Sequence, residues 1–354
     1  MTRRYVKGTV LLLALLTAHA CTQLGEQQSS APIAFSAVVA GDMPATRAVN
    51  MTDETGLKGN GFGVFGCYTG LHTYSESSVS TDFMHNQRMT WDAGNSHWVY
   101  DPVKYWPGEE GHHVSFFAYA PYSDGSLECI PSFIFDHEVA DPWIFYRLAA
   151  DVNDQVDLLY ADPLLDQTRH AIGDPLTFTF KHALACVGDT VRISCSDAFR
   201  NALKAQVDGG SCSEIKVLLK KLEIEYALTA KARLVLWNRG SANWNVVQSE
   251  EVLTKRTVPF TVGQYGSDYL LWMYPNNAGE EKYTPWSDTG HGVFCIPAEA
   301  NGYAQEAKMT MVYDIVREGG VSLLNHTVTA TLPLKGLVQE GKVLNINMEI
   351  NNLQ

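Results

Sequence analysis

The sequence predicts an all-β protein, and three observations support this prediction. From Gly61 onward, short segments of alternating apolar and polar residues are separated by turn residues such as Gly, Pro, Asn and Asp. Bulk for a core comes from 16 Tyr, 14 Phe and 8 Trp residues, which favour strands. The length of 354 residues is enough for two domains of ordinary size. We therefore expect two β-sandwich domains in tandem, with a short helix inserted in the second.

The first 30 residues have the features of an export signal followed by a tether. Basic residues near the N-terminus precede an apolar run from Val10 to Ala18, which is too short to span a bilayer comfortably. The small residues that lead from this run into Cys21 resemble a lipobox, in which the cysteine thiol takes a diacylglycerol group. We predict a signal peptide over residues 1–20 and a lipidated polar tether over residues 21–30. The alternative is an ordinary signal peptide whose cleavage site happens to lie near Cys21.

A strand of unusual position follows the tether. A strand is predicted over residues 31–40, because residues 33–40 alternate with a period of two. The apolar face of this strand carries Ile33, Phe35, Ala37 and Val39. A short link of small residues then leads to Thr46-Arg47-Ala48, where an exposed Arg47 would suit a trypsin-like protease and Ala48 would become the new N-terminus. The alternative is an ordinary surface arginine.

The formal charge of the chain limits the partners that it can have. With 26 basic and 39 acidic residues, the net charge is -13. An acidic surface disfavours binding to nucleic acid and electrostatic attachment to anionic lipid. Any attachment to a membrane must then come from acyl chains on Cys21.

The cysteines show no sign of a metal or redox site. Besides Cys21 the chain contains Cys67, Cys129, Cys186, Cys195, Cys212 and Cys295. Their spacing lacks both a CxxC motif and the density of a disulfide-stapled scaffold. We expect most of them to be buried thiols, and a bridge within the group Cys186, Cys195 and Cys212 is left open.

The predicted N-terminal domain covers residues 31–173. Two apolar segments flank the turn Asp92-Ala93-Gly94-Asn95 and predict a hairpin. The run from Val114 to Tyr119 is the most continuously apolar part of this half and predicts a central strand. The turn Gly173-Asp174-Pro175 then ends the domain.

The predicted C-terminal domain covers residues 174–354. It starts with alternation from Leu176 that resumes at Val191, which predicts a strand pair with one buried face. From Ser196 to Val207 the apolar spacing is helical, with Ser196 or Asp197 as the cap at its start and the glycines at 209 and 210 at its end. The domain ends with the clearest alternation in the chain. The apolar face of this last strand carries Leu344, Ile346, Met348 and Ile350.

Metal and catalytic sites are poorly supported. The cluster Glu109-Glu110-Gly111-His112-His113 has metal-like composition, but adjacent histidines on an extended segment point to opposite sides, and Asp136-His137-Glu138 has the same defect. The nucleophile, zinc-protease and nucleotide-binding motifs are absent from the sequence. His182 lies between apolar runs and is interpreted as a structural histidine. We expect no enzyme activity, no metal and no cofactor.

Four local strings resemble the Bacteroidales fimbrillin family, which includes the Mfa-like and fimbrillin-like lipoproteins. The strings occupy residues 101–107 (DPVKYWP), 116–122 (FFAYAPY), 157–161 (DLLYA) and 178–185 (FTFKHALA). Their order and spacing also match the family. Together with the lipobox, the resemblance runs from Cys21 to about Val187, and the C-terminal half matches mainly through its closing strand.

This resemblance implies transthyretin-like β-sandwich domains and a route of assembly rather than a reaction. In such proteins a lipidated precursor reaches the outer surface of the outer membrane, an arginine-specific protease cuts it, and the first strand is lost. The vacated groove then receives a strand from the next subunit of a homo- or hetero-polymer. The matching elements here are Cys21, the strand at residues 31–40 and Arg47. The closing strand, Leu344 to Ile350, is the candidate donor.

Two alternatives remain at this stage. The chain ends soon after Ile350, so donation would require the closing strand to swing out, whereas a tip subunit would not need to donate. The second alternative is a monomeric surface lipoprotein that binds glycans through exposed tryptophans on one sheet. Host or bacterial surface glycans and proteins are the expected ligands in either case.

Overall fold

The computed structural model describes residues 31–41, 53–77, 83–133, 142–171, 173–237, 240–246, 268–275, 292–298 and 304–351, together with the backbone course of a strand at 251–257. The described chain is all-β apart from two α-helices, α1 (Glu54–Asn60) and α2 (Asp197–Asp208), and two short 3₁₀ helices at Tyr74–Glu76 and Val152–Asp154. Within these ranges, no helix is long and apolar enough to cross a membrane.

The described chain also contains twenty strands. Those of the first half are β1 (Phe35–Val39), β2 (Phe62–Gly70), β3 (Met84–Asp92), β4 (His97–Val99), β5 (His113–Ala120), β6 (Ser132–Phe133), β7 (Trp143–Arg147), β8 (Leu159–Ala161), β9 (Leu164–Gln167) and β10 (Leu176–His182). Those of the second half are β11 (Ala185–Cys195), β12 (Glu214–Thr229), β13 (Lys231–Val235), β14 (Asn243–Asn245), β15 (Glu251–Thr257), β16 (Tyr269–Tyr274), β17 (Val293–Cys295), β18 (Glu306–Glu318), β19 (Leu323–Pro333) and β20 (Val343–Ile350).

An eight-stranded sheet forms the first layer. Its order is β1-β10-β8-β5-β2-β3-β4, with β9 paired to β5 beside this path. The predicted central strand is confirmed as β5, which is buried on both faces. Because both faces are covered, its sequence is a continuous apolar run rather than an alternation. The predicted hairpin is also confirmed, since β3 pairs with β4 across residues 92–97.

The eight-stranded sheet curls so that its two edges lie near each other. β1 lies next to β4, and Pro32 forms an isolated bridge with Tyr105 just beyond β4. The curl encloses a first core, which includes Ile33, Phe35, Phe62, Val64, Trp98, Trp106, Phe116, Phe178 and Phe180. Aromatic rings thus contribute much of the bulk on the concave side of the sheet.

Two sheets of the second half pack over a shared core as a β-sandwich. One has three strands in the order β17-β11-β20, and the other has five, in the order β15-β12-β18-β19 with β16 also paired to β12. Alternate residues of β12 and β18, such as Ile224, Tyr226 and Met311, enter the same core as Ile193 of β11. This arrangement confirms the all-β class.

The two halves are joined rather than separate. A four-stranded sheet in the order β14-β13-β7-β6 pairs β7 of the first half with β13 of the second. The second core also takes in Phe65, Phe117 and Tyr119 from the convex face of the eight-stranded sheet. The division of the chain after residue 173 stays a prediction.

The predicted pairing at the start of the second half is wrong. β10 lies in the eight-stranded sheet between β1 and β8, whereas β11 lies in the three-stranded sheet between β17 and β20. Both strands alternate in phase, but the chain passes from one sheet to the other between His182 and Ala185. Alternation reports a buried face and does not identify the neighbouring strand.

The inserted helix is confirmed as α2, and one helix was not predicted. The hydroxyl of Ser196 caps α2 by accepting from the backbone N–H of Phe199 at 3.1 Å, and Gly209 ends it. The helix α1 has its own sequence signals, namely an Asp53 cap that accepts from the N–H of Gly56 at 2.8 Å, and Gly61 at its end. Gly61 has a φ of 70°, and a side chain there would meet the carbonyl of Met89.

A buried edge strand as the candidate functional site

The strand β1 is an edge strand with an alternating pattern of burial. Ile33 and Phe35 are only 2% and 4% exposed, and Ala37 and Val39 are half-buried against the same core. The intervening Ala34, Val38 and Ala40 are exposed. The apolar face recognised in the sequence is therefore the face that points into the first core.

On one side, β1 forms a parallel ladder with β10. The Cα pairs run without a shift from Phe35 with Leu176 to Val39 with Phe180. Backbone hydrogen bonds extend the ladder at both ends, from the N–H of Leu176 to the carbonyl of Ala34 at 2.9 Å and from the N–H of Ala40 to the carbonyl of Phe180 at 2.8 Å. On the outer face, the hydroxyl oxygens of Ser36 and Thr177 lie 2.6 Å apart.

On the other side, the residues just before β1 pair with the segment after β4. The N–H of Ile33 donates to the carbonyl of Lys104 at 2.9 Å, and the N–H of Trp106 donates to the carbonyl of Ala31 at 3.0 Å. The hydroxyl of Tyr100 also donates to the carbonyl of Ile33 at 2.8 Å. The first strand thus closes the seam between the two ends of the curled sheet.

Phe35 occupies an aromatic socket. Its ring stacks on Phe178 with a centroid distance of 5.6 Å and meets Phe116 edge-on at 5.3 Å. The ring of Tyr100 lies 5.8 Å away. Burial of a large apolar side chain contributes about 1.5–3 kcal/mol, so loss of Ile33 and Phe35 together would expose a costly groove.

The second half of β1 is not covered by another described strand on its outer side. A cavity of about 470 Å³ separates Ser36 and Val38 from helix α1 and the β3-β4 hairpin, where Lys58 and Trp91 form part of its wall. The ammonium of Lys58 lies 4.5 Å from the centre of the Trp91 ring. From Ala34 onward, β1 is therefore held by β10 and by its own apolar side chains.

The pKa of Tyr100 reflects its buried position beside the first strand. Burial raises the pKa of Tyr100 to about 12, although its hydrogen bond with the backbone at Lys104 acts in the opposite direction. The neutral hydroxyl can donate to Ile33, whereas a phenolate could not. Tyr100 therefore supports the seat of β1 over the whole physiological pH range.

The closing strand β20 is also an edge strand. It runs parallel to β11, from the pair Val343 with Cys186 to the pair Ile350 with Cys195, with a shift in register between Val187 and Val191. Ile346 and Ile350 are buried, while Leu344 and Met348 are half-buried against the second core. β1 and β20 belong to different sheets.

The residues predicted for lipidation and proteolysis, Cys21, Arg47 and Ala48, lie outside the described residues. Arg47 belongs to residues 42–52, which connect Gly41 after β1 to Asp53 before α1. Both Gly41 and Asp53 are exposed. The ends of this connection are therefore on the surface.

The histidines with metal-like sequence contexts have different surroundings. His112 Nδ1 lies 2.9 Å from Glu109 Oε2, whereas His113 Nδ1 lies 3.3 Å from the carbonyl of His72. His182 is buried and hydrogen-bonded to the buried Asp157 at 2.7 Å. No group of three or more metal-ligating side chains occurs among the described residues, and Asp136-His137-Glu138 lies outside them.

The six cysteines other than Cys21 all lie within the described residues and are buried thiols outside any disulfide, including Cys186, Cys195 and Cys212. Burial raises the pKa of the Cys129 thiol to about 11 and that of the Cys295 thiol to about 12. These two thiols are therefore protonated at neutral pH and react slowly.

Sequence reasoning missed the residues that receive the first strand. Tyr100, Phe116 and Phe178 form the socket of Phe35, and Lys104 accepts the backbone N–H of Ile33. The aromatic alternation at Phe178 and Phe180 was visible, but it was assigned to the second domain. No sequence signal identified Tyr100.

The tryptophans do not form an exposed platform in the described part of the chain. Trp98, Trp106 and Trp272 are buried. The others that the structure describes are half-buried, namely Trp91, Trp143, Trp237 and Trp244.

Comparison with solved structures supports the fold. A fimbrial protein from Bacteroides vulgatus superposes with a TM-score of 0.61 at 19% sequence identity, over 90% of this chain and 95% of that one. Lower TM-scores, 0.45 and 0.38, are found for candidate cell adhesion proteins from Bacteroides eggerthii (10% identity, 91% of this chain and 87% of that one) and Bacteroides uniformis (13% identity, 85% and 98%). The comparison with curated proteins gave no match.

The model of the fimbrillin-like family matches residues 46–207. This range contains all four strings that carried the resemblance in the sequence, and it contains β10, the strand on which β1 is seated. Residues 46–207 are thus similar to the fimbrillin-like family.

Proposed function

We propose that this chain is a structural or adhesive subunit of a cell-surface fimbria, with no enzyme activity. One observation carries the proposal: a first strand with a buried apolar face sits at the edge of a sheet and is followed by a connection with exposed ends. The family match and the likeness to a fimbrial protein from Bacteroides vulgatus support it. The subunit would act in a homo- or hetero-polymer as a stalk or tip component.

The proposed maturation begins with a cut after Arg47 by an arginine-specific protease. The cut would separate β1 from α1, because Arg47 lies between them in sequence. Loss of β1 would expose the aromatic side chains that contact Phe35 and free the edge of β10. An open edge with empty apolar pockets accepts a strand from another chain.

The proposed donor is the closing strand of a neighbouring subunit. β20 has four apolar positions with a spacing of two, as β1 has when Ile33 just before it is included, and each strand runs parallel to its partner in its own sheet. Leu344, Ile346, Met348 and Ile350 of one subunit could therefore enter the pockets of Ile33, Phe35, Ala37 and Val39 of the next without a reversal of strand direction.

Before maturation the precursor would be a lipoprotein of the outer membrane, anchored through Cys21 and facing the exterior. The acyl chains would supply the attachment that an acidic protein cannot obtain from anionic lipid. After the cut, the subunit would enter the fimbrium, and both the lipid anchor and β1 would be left behind. Its ligands would be glycans or proteins of host or bacterial surfaces.

The alternative function, a monomeric lipoprotein that binds glycans, has less support. A platform for sugars needs aromatic rings whose faces are open to solvent. The tryptophans that the structure describes are buried or half-buried, and Trp91 carries Lys58 over its ring. The burial of β1 favours the fimbrial proposal.

The Arg47→Ala variant tests this function. We expect it to remain a full-length, lipidated monomer, whereas the wild type matures to an N-terminus at Ala48 and enters polymers. Mass spectrometry of material sheared from the cell surface identifies the N-terminus, and denaturing gels loaded without boiling detect the polymers.

The matched control is Arg192→Ala. Arg192 is exposed but lies within β11, so a protease that needs a loop should ignore it. This variant should mature and polymerise as the wild type does. Filaments built from uncut Arg47→Ala protein would contradict the proposed mechanism.

A further inference from the structure

The outer edge of β19 is not paired with any described strand. This strand is the last strand of the five-stranded sheet, and its eleven residues make it the longest strand at a sheet edge in the described part of the chain. β18 pairs with it on one side, and no described strand pairs with it on the other. The backbone groups on that outer side are placed to bond to an added strand.

Apart from Pro333 at its end, this edge lacks the usual protection against strand addition. From Leu323 to Pro333 the strand carries no Asp, Glu, Lys or Arg, although the chain has a net charge of -13. The edge strand β15 contains three charged residues, and β20 contains Glu349. The ladder with β18 is regular from His326 to Pro333, so no bulge interrupts the middle of the edge.

The apolar face of β19 is only partly covered. Val328 and Leu332 are half-buried, although they pair with the buried residues Met311 and Ala307 of β18. The opposite face carries Thr327, Thr329 and Thr331, all exposed. A further strand beside β19 would cover the remaining surface of the apolar side chains and bond to its backbone.

We propose that β19 is a self-association site, at which the β19 strand of a second copy of this chain adds antiparallel. With the two-fold axis at Val328, Thr327 of one copy faces Thr329 of the other, and His326 faces Ala330. The facing threonines can form cross-strand hydrogen bonds, and no charged side chain of the two strands is brought together.

The lack of charge on β19, in a chain of high net negative charge, favours a second copy of this chain as the source of the added strand. Two chains of net charge -13 repel each other, and the repulsion is smallest where the facing strands are uncharged. The sequence around Val328 is also close to symmetric, since threonines occupy both neighbouring positions. An antiparallel pair of identical strands is therefore self-complementary.

The contact differs from strand exchange in its symmetry. A two-fold contact uses the same surface on both copies and closes at the dimer, whereas donation from head to tail continues along a filament. It involves neither β1 nor β20 and does not depend on a cut at Arg47. The site would join two chains side by side.

Sedimentation velocity of the uncut Cys21→Ser chain, which cannot be acylated, tests the site. We expect a reversible dimer that does not grow further as the concentration is raised. In the double variant Thr327→Lys with Thr329→Lys, like charges face each other twice across the contact, so the dissociation constant should rise about tenfold or more. The matched control is Thr310→Lys with Val312→Lys on β18, which places the same charges on the cross-strand neighbours of Thr329 and Thr327 and should leave the dimer unchanged.

A charge-swap experiment separates association from damage to the fold. The variant Thr327→Glu with Thr329→Glu should also fail to dimerise alone, whereas an equal mixture of the Lys and Glu variants should form a heterodimer. Thermal unfolding followed by circular dichroism checks that the variants are folded. A wild type that stays monomeric at all concentrations, a Lys variant that dimerises as before, or a mixture that does not associate would each overturn the proposal.

Discussion

The two edge strands β1 and β20 have similar pairing and similar patterns of burial. Each runs parallel to its neighbour, β1 to β10 and β20 to β11, and these neighbours follow each other directly in the chain. Four alternating apolar positions lie on β20, and three lie on β1 with a fourth, Ile33, just before it; in each set two are buried and two are half-buried. Packing alone would not reveal which of the two strands is detachable.

The strands differ in their connections. β20 continues from β19 through described residues, and its ends are fixed by hydrogen bonds of 3.0 Å from the N–H of Cys186 to Lys342 and from the N–H of Ser196 to Ile350. β1 is joined to the body of the protein by residues 42–52 alone on its C-terminal side. A single cut there would leave β1 held by non-covalent contacts. The comparison teaches that covalent context, more than burial, distinguishes β1, which a single cut could release, from β20.

Phe35→Ala should have the largest effect, because it empties the aromatic socket of β1. We expect a loss of about 3–5 kcal/mol in the free energy of unfolding of the uncut chain, measured by urea denaturation. Val38→Ala, on the exposed face of the same strand, is the control and should cost less than about 1 kcal/mol. Equal losses in the free energy of unfolding for the two substitutions would contradict this prediction, because they would show that the buried face of β1 does not anchor the strand.

Ile346→Ala tests the corresponding position of β20 and should cost about 2–4 kcal/mol. Asn347→Ala, at the exposed neighbouring position, is the control. If β1 is lost on maturation, the cost of Phe35→Ala should disappear from the mature protein while that of Ile346→Ala persists. A cost of Phe35→Ala that persists in protein beginning at Ala48 would show that the strand remains bound after the cut.

Tyr100→Phe should have the smallest effect, about 1 kcal/mol at neutral pH, because it removes the hydrogen bond to Ile33 and the longer ones with the backbone of Lys104. The pKa of Tyr100 is raised from about 10 to about 12 in the folded chain, so its contribution is complete below pH 10 and is lost as the pH rises through 12. The wild type should therefore lose more stability than the variant between pH 10 and 12.

Thermal melting at a series of pH values measures this difference, with Tyr105→Phe as the control on an exposed ring. An identical alkaline loss in the wild type and Tyr100→Phe would remove Tyr100 from the account of how β1 is held. The aromatic socket, the β10 ladder and the backbone hydrogen bonds to Lys104 and Trp106 would then remain as supports of that strand.

Much of the local structure could be predicted from the sequence. Helix α2 followed from the Ser196 cap and the glycines after it, because a cap satisfies backbone groups within one turn. The hairpin of β3 and β4 followed from turn residues between apolar segments. The apolar face of β1 followed from its alternation. Each of these features depends on residues that are close in the chain.

Only the tertiary structure decided which strands are neighbours. Ser36 meets Thr177 across 141 residues of sequence, β7 pairs with β13 of the other half, and β10 and β11 enter different sheets despite their common phase. Alternation determines which side chains share a face, but many faces in this chain are equally apolar. The choice among them depends on how the whole set of strands can bury its apolar area at once, and no local segment contains that information.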